Sequence, residues 1–279
     1  MITPEMLDLT GKVAIVTGSG RGLGRAIAVG LARFGATTVV VDRDEAAARE
    51  ARHEVAAVQP KSIMAQCDVS IPDEVTALFA TVLDRLETID ILVNNAGAWE
   101  VSTLLDTTPE SFTRHVNANL LSAFLCSTAA ARHWSEAKKG GAIVNIASTE
   151  GIRGCPYLGA YAAAKAGLIN LTKTMAAEWG PLGIKVNAVA PDYTPTPGVM
   201  AHGTFTPQRR KRVAGAIPLR RLGAPDDTAG AVLYLVSGLA SWVSGDTIVV
   251  DGGSIASARV EGPIFREGDV IPERKDDRR

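Results

Sequence analysis

Short apolar runs rich in Val and Ile recur along the chain at 13–17, 37–41, 62–67, 89–94, 142–147, 185–189 and 247–250. Each is bounded by Gly, Asp or Pro, the pattern of a strand buried on both faces. Between them lie Ala-rich stretches with helical spacing, at 22–34, 44–58, 72–86, 109–133, 158–179 and 225–236. Pro72, Pro109 and Pro225 stand at predicted first turns, where a missing N–H costs nothing. Strands alternating with helices of this length predict an α/β chain: one doubly wound, seven-stranded parallel sheet with helices on both faces and right-handed crossovers. A ligand then sits beyond the carboxyl ends of the strands.

Two regions break the alternation. Residues 192–217, with Pro195, Pro197, Gly198, Gly203 and Pro207, are too long for an ordinary connection and read as a lid over the site. From residue 254 the tail ends in Pro272-Glu-Arg-Lys-Asp-Asp-Arg-Arg, which has no apolar face to bury, so its last residues are expected to be disordered. No linker splits the chain, and 1–279 reads as one unit.

Composition narrows the partners. With 29 Lys+Arg against 30 Asp+Glu the net charge is −1, which leaves no footprint for nucleic acid; the basic run Arg209, Arg210, Lys211, Arg212 is short and local. Three cysteines, Cys67, Cys126 and Cys155, are too few and too far apart for a disulfide framework or a zinc site, and fit a reducing cytosol. The four histidines share no metal spacing, so no metal is expected. The first residues carry no apolar segment and no 18 apolar residues run together, so the chain is expected to be cytoplasmic and free of membrane.

Candidate chemistry begins after the first predicted strand, at Thr17-Gly18-Ser19-Gly20-Arg21-Gly22-Leu23-Gly24. Glycines opening a helix let a pyrophosphate approach backbone N–H groups where the helix dipole favours an anion, the logic of a Rossmann-type nucleotide site. The spacing is T-G-x-x-x-G-x-G, not G-x-G-x-x-G. Asp42 ends the second strand, placed to accept hydrogen bonds from an adenosine ribose diol, although an Asp there is also a common turn former. Tyr161-Ala-Ala-Ala-Lys165 puts a phenol and an ammonium one helical turn apart, so the ammonium could lower the phenol's pKa toward use as an acid or base. Chance gives about 0.13 such matches in a chain of this composition, so context decides. Ser148, at the end of the fifth predicted strand, supplies that context as a hydroxyl at the ligand edge, or else is a plain turn residue.

These segments, with Asp68-Val69, Asn94-Asn95-Ala96-Gly97, Asn119-Leu120 and Asn187-Ala-Val-Ala-Pro191, resemble the short-chain dehydrogenase/reductase family over nearly the whole chain. The resemblance implies that Asp68 and Val69 contact the adenine and that Asn95, Ala96 and Gly97 line the adenosine side. It implies a catalytic group of Asn119, Ser148, Tyr161 and Lys165. Tyr161 would move the substrate proton, Ser148 would bind the same oxygen, Lys165 would lower the Tyr pKa and hold the nicotinamide ribose, and Asn119 would support a water-linked proton path. Pro191, the Thr194 backbone and Thr196 would meet the carboxamide end. It also implies a homodimer or homotetramer built on the two long helices carrying Phe112, Phe124 and Leu168. In one departure, Pro191-Asp192 stands where the family has Pro-Gly, and Asp192 either enters the substrate pocket or faces solvent.

The expected activity is hydride transfer between NAD(H) and a small secondary alcohol or ketone. Asp42 favours NAD; Arg21 and Arg43 are the groups that would favour NADP instead. The alternatives are an NADPH-dependent 3-oxoacyl-thioester or ketone reductase on the same site, and a non-catalytic dinucleotide sensor.

Overall fold

The structure, a computed structural model, describes residues 1–201 and 206–257. The chain runs β1 (Val13–Thr17), α1 (Gly22–Arg33), β2 (Thr37–Asp42), α2 (Glu45–Val58), β3 (Ile63–Gln66), α3 (Pro72–Leu86) and β4 (Ile91–Asn94). It continues through α4 (Pro109–Val116), α5 (Ser122–Glu136), β5 (Gly141–Ile146), α6 (Gly159–Trp179) and β6 (Ile184–Pro191), then α7 (Pro197–Ala201), α8 (Pro207–Ala216), α9 (Pro225–Val236) and β7 (Thr247–Val250).

All seven strands are parallel, in the order β3-β2-β1-β4-β5-β6-β7. Alternation along each strand feeds two cores. Val13 and Ile15 enter one, with Val75, Phe79 and Val82 of α3 and Trp134 of α5; Ala14 and Val16 enter the other, with Ile27 and Leu31 of α1 and Val232 of α9. After β3 the chain crosses back over β2 and β1 to build β4, so the winding reverses between β1 and β4. That reversal opens the crevice at the carboxyl edge where a doubly wound sheet takes its ligand.

The seven strands and most helices lie where the sequence places them, and three readings change. The stretch read as one helix over 109–133 is α4 and α5 joined by a π-helical turn, Asn117–Leu121. The stretch read as a lid loop contains α7 and α8: the Thr206 hydroxyl caps α8 by accepting from the Arg209 N–H at 3.2 Å, with Pro207 in the first turn. Leu168, assigned to an interface, is 1% exposed inside the fold, whereas Phe112 and Phe124 stand at 42% and 43%. Residues 202–205 of the lid stretch, and the tail from 258 onward with its expected disorder, lie outside the described residues.

Candidate active site

The glycine turn is held from behind. Gly18 (φ +60°) leaves β1 so close to the β4 loop that a Cβ would stand 2.8 Å from the Ala96 Cα. Asn95 locks that approach, its amide Nδ2 donating to the carbonyls of Thr17 (3.0 Å) and Gly18 (2.9 Å), while the N–H groups of Asn95 and Ala96 both donate to the Thr17 hydroxyl. Arg25 donates to the Gly20 carbonyl from Nε and one Nη, and Glu50 and Glu54 hold its other Nη. Gly22 opens α1, and Arg21 before it provides no side-chain cap, so the first amides of the helix keep their donors for something else. Gly22 (φ +57°) also faces Thr196, whose Cβ would be 3.1 Å from a Cβ added there.

Asp42 ends β2 beside this turn. Its Oδ2 accepts from the Gly20 N–H at 2.9 Å and its Oδ1 from the Asp44 N–H at 3.0 Å, which fixes the carboxylate against the glycines. Arg21 is drawn off to an exposed ion pair with Asp44, and Arg43 is exposed. Asp68 is turned toward Ser70, whose N–H and hydroxyl it accepts, and these hold its carboxyl below the usual range. Val69 is 7% exposed and packs in the core, leaving its main chain for any ligand.

From the α1 N-terminus a cleft of about 710 Å³ runs along the carboxyl edge, over Gly97 and Asn119, to Ser148, Tyr161 and Lys165. Its size suits a small-molecule site. Gly22, Leu23, Asn95, Pro191, Thr194 and Thr196 also line it, whereas Asp42, Arg43, Asp68, Val69 and Ala96 lie outside it at the ends of β2, β3 and β4. Asn119 comes from the π turn. Asn119 Nδ2 donates to the His115 carbonyl at 2.9 Å and to the Ala98 carbonyl at 2.7 Å. Its Oδ1 accepts from the Ala98 N–H and would stand 2.6 Å from a Cβ on Gly97.

Ser148 follows β5 and begins a short 3-10 turn, its hydroxyl accepting from the Glu150 N–H at 3.2 Å. Tyr161 and Lys165 share the cleft face of α6, with Nζ 5.7 Å from the phenol ring centroid. Lys165 is 4% exposed and donates to the Ile146 carbonyl at 2.7 Å. Burial rather than Lys165 dominates the phenol: desolvation pushes Tyr161 up to about 12, and the Ser148 side chain draws it down. The same desolvation pulls Lys165 down to about 8. The protein by itself therefore presents a protonated phenol.

A nicotinamide dinucleotide fits this arrangement. The uncapped helix N-terminus suits its pyrophosphate, the fixed Asp42 its adenosine ribose, and the space over Gly97, which a Cβ would fill, leads to Lys165. The family model that matches, described as enoyl-(acyl carrier protein) reductase and part of the short-chain dehydrogenase/reductase family, spans residues 18–254. The chain belongs to the short-chain dehydrogenase/reductase family. It is an oxidoreductase acting on alcohol and ketone groups, in a family that binds NAD(P). Among its relatives is a 3-oxoacyl-[acyl-carrier-protein] reductase of Synechocystis sp., 38% identical over 252 residues, covering 90% of this chain and 99% of that one. Solved structures like this short-chain dehydrogenase/reductase include a 7α-hydroxysteroid dehydrogenase complexed with NADH and 7-oxo glycochenodeoxycholic acid, 34% identical with a TM-score of 0.86 over 91% of this chain and 98% of that one. Another is a gluconate 5-dehydrogenase of Burkholderia cenocepacia in complex with NADP and tartrate, 33% identical with a TM-score of 0.85 over the same shares.

Sequence reasoning passed over Trp99 and gave no individual role to Glu150 or Arg209, which also line the cleft. Arg209, read from the sequence only as part of a short, local basic run, is 5% exposed and donates to the Tyr193 hydroxyl at 3.0 Å. The signal available was Thr206-Pro207, which starts a helix and so separates the faces of that run. Asp192 faces the cleft and not solvent: its side chain is 6% exposed. Among the described residues no group of three or more His, Cys, Asp or Glu could hold a metal, and no helix is long and apolar enough to cross a membrane.

Proposed function

We propose that this enzyme transfers hydride between NAD(H) and a secondary alcohol or its ketone, with Tyr161 as the proton donor and acceptor. The observation that carries the reading is the meeting of Ser148, Tyr161 and Lys165 at one end of a cleft whose other end is an uncapped helix N-terminus. The dinucleotide supplies the hydride chemistry when bound. The chain supplies the rest. Ser148 and Tyr161 converge on one substrate oxygen; in the reducing direction the phenol, protonated at neutral pH, gives its proton to that oxygen. Lys165, anchored on Ile146, holds the ribose and presents positive charge beside the ring, which favours the phenolate in the oxidising direction. Asn119, fixed by Ala98 and His115, supports the proton path away from Lys165.

The choice of NAD rests on Asp42. Two backbone N–H groups aim its carboxylate, which accepts from a ribose diol and repels a 2′-phosphate, while Arg21 is occupied by Asp44. The expected preference is roughly 30- to 150-fold in kcat/KM, or about 2–3 kcal/mol. A panel of secondary alcohols and ketones, read by NADH and NADPH absorbance, tests the reading, and Asp42→Ala should shrink the cofactor ratio by about tenfold or more. Wild-type enzyme using NADPH tenfold better than NADH would show that the arginines set the choice. The 3-oxoacyl-thioester alternative is favoured by the Synechocystis relative's name, and an acyl-thioester in the same panel tests it. The matched catalytic group speaks against a non-catalytic sensor. We also assign the enzyme to the cytoplasm, in keeping with three free cysteines.

A further inference from the structure

The stretch after β6 and the 3-10 turn after β5 build a charged wall in the cleft that the reaction itself does not use. Asp192 Oδ1 accepts from the Thr149 hydroxyl at 3.1 Å and meets the Arg153 guanidinium at 3.4 Å. The same Arg153 nitrogen reaches Glu150 Oε1 at 3.2 Å. Both carboxylates are more than nine-tenths buried, with side chains 8% exposed for Glu150 and 6% for Asp192. Glu150 Oε2 is enclosed without a hydrogen-bond partner, and the Cys155 thiol beside it is at best a weak donor. Among the described residues Asp192 Oδ2 receives no hydrogen bond, and unlike Glu150 Oε2 it is not enclosed.

Two carboxylates thus share one guanidinium. A pair built only to tie the loop to β6 would match charge to charge and satisfy its oxygens, because buried polar groups left unpaired are costly. This wall lacks donors, and it lies in the cleft that holds Ser148 and Tyr161, two and more residues along from Ser148 itself. Of the two oxygens without a donor only Asp192 Oδ2 is not enclosed, so it is the one that a ligand in the cleft can reach. The charge of that ligand is constrained from both sides. Glu150 and Asp192 repel an anion, while Arg153 and the cleft-lining Arg209 repel a cation. A neutral hydroxyl meets neither objection.

We propose that Asp192, held by Thr149 and Arg153 with Glu150 behind it, is a specificity-determining residue that accepts a hydrogen bond from a second hydroxyl of the substrate, making neutral diols and polyols the preferred substrate class. The proposal rests on the alcohol–ketone reading of the cleft. It is tested with paired substrates that differ by one hydroxyl: cyclohexanol against cis-1,2-cyclohexanediol, and 2-butanol against 2,3-butanediol. Wild-type enzyme should favour the diol by about tenfold or more in kcat/KM, since a site built to bond a hydroxyl rejects the analogue lacking it. Asp192→Gly should bring that ratio below about threefold, chiefly by raising KM for the diol. Thr149→Val, nearly isosteric, removes the hydroxyl that steadies Asp192 and should lower the ratio too, so the test survives if the glycine variant fails to fold. Turnover of both members of each pair with a wild-type ratio near one overturns this inference alone. A diol preference that both folded variants keep does the same. No turnover of any alcohol or matching ketone removes the underlying reading, and this inference falls with it.

Discussion

Lys165 carries a cost that the fold bears for the sake of the site. The residue is 4% exposed and its pKa is drawn from 10.5 down to about 8, so at pH 7 it sits charged where burial resists charge. That corresponds to roughly 3 kcal/mol against folding, and a variant that leaves the Ile146 carbonyl without its donor gives back about 1 kcal/mol of that gain. Lys165→Met should therefore abolish most turnover while raising stability by about 2 kcal/mol near neutral pH. The sign of its pH dependence follows. The folded pKa lies below the unfolded one, so the cost is full below pH 8 and fades as pH rises toward 10.5. Urea denaturation of both proteins at pH 7 and pH 10 should show the gap closing; a variant less stable than wild type at pH 7 contradicts this account. The Tyr161–Lys165 pair and Ser148 were legible from spacing and strand position. The direction of the phenol's pKa was not, because it depends on how deeply α6 sinks against β5, which one sequence does not reveal.

Among the elements, the π turn between α4 and α5 matters most to the site. It carries Asn119 in the cleft, with the Asn119 amide donating to the His115 carbonyl. Asn119→Ala should leave two acceptors, on Ala98 and His115, without their donor and cost about 1–3 kcal/mol of stability. Turnover should fall by about tenfold to a hundredfold, with cofactor affinity little changed. Thermal unfolding and steady-state kinetics on the same preparation check both, and unchanged turnover would remove Asn119 from the proton path. Nothing in Asn117–Leu121 announces a π turn, since its residues suit a regular helix equally well; in the structure the turn packs against α6 and bonds the Ala98 segment through Asn119. α8 is a different case. Thr206-Pro207 is a sound start signal, but the Pro and Gly around it outweigh it in a reading by composition.

At the scale of the whole molecule, the parallel, doubly wound sheet was readable because its strands are short and mostly apolar and every crossover is helical, whereas the order of the strands was not read from the sequence. The assembly surface was less readable, because an apolar residue on an Ala-rich helix can face either core or partner, and Leu168 went to the core. Phe112 on α4 and Phe124 on α5 remain exposed, as do Leu104 and Leu105 before α4, at 71% and 86%. An exposed apolar group of this kind on neighbouring elements suits association between copies of the chain. Light scattering at micromolar concentration should give a dimer or tetramer, and Phe124→Asp should shift it toward monomer. A wild-type monomer would contradict the assignment.

The central claim is that Tyr161 transfers the substrate proton beside a bound dinucleotide. Tyr161→Phe removes one oxygen and keeps the ring packed on α6, so fold and cofactor affinity should hold. Turnover of the best alcohol in the panel, measured with NADH binding by fluorescence titration on the same sample, should fall by about 10²–10⁴-fold, with the dissociation constant within about threefold of wild type. Turnover within threefold of wild type would contradict the account.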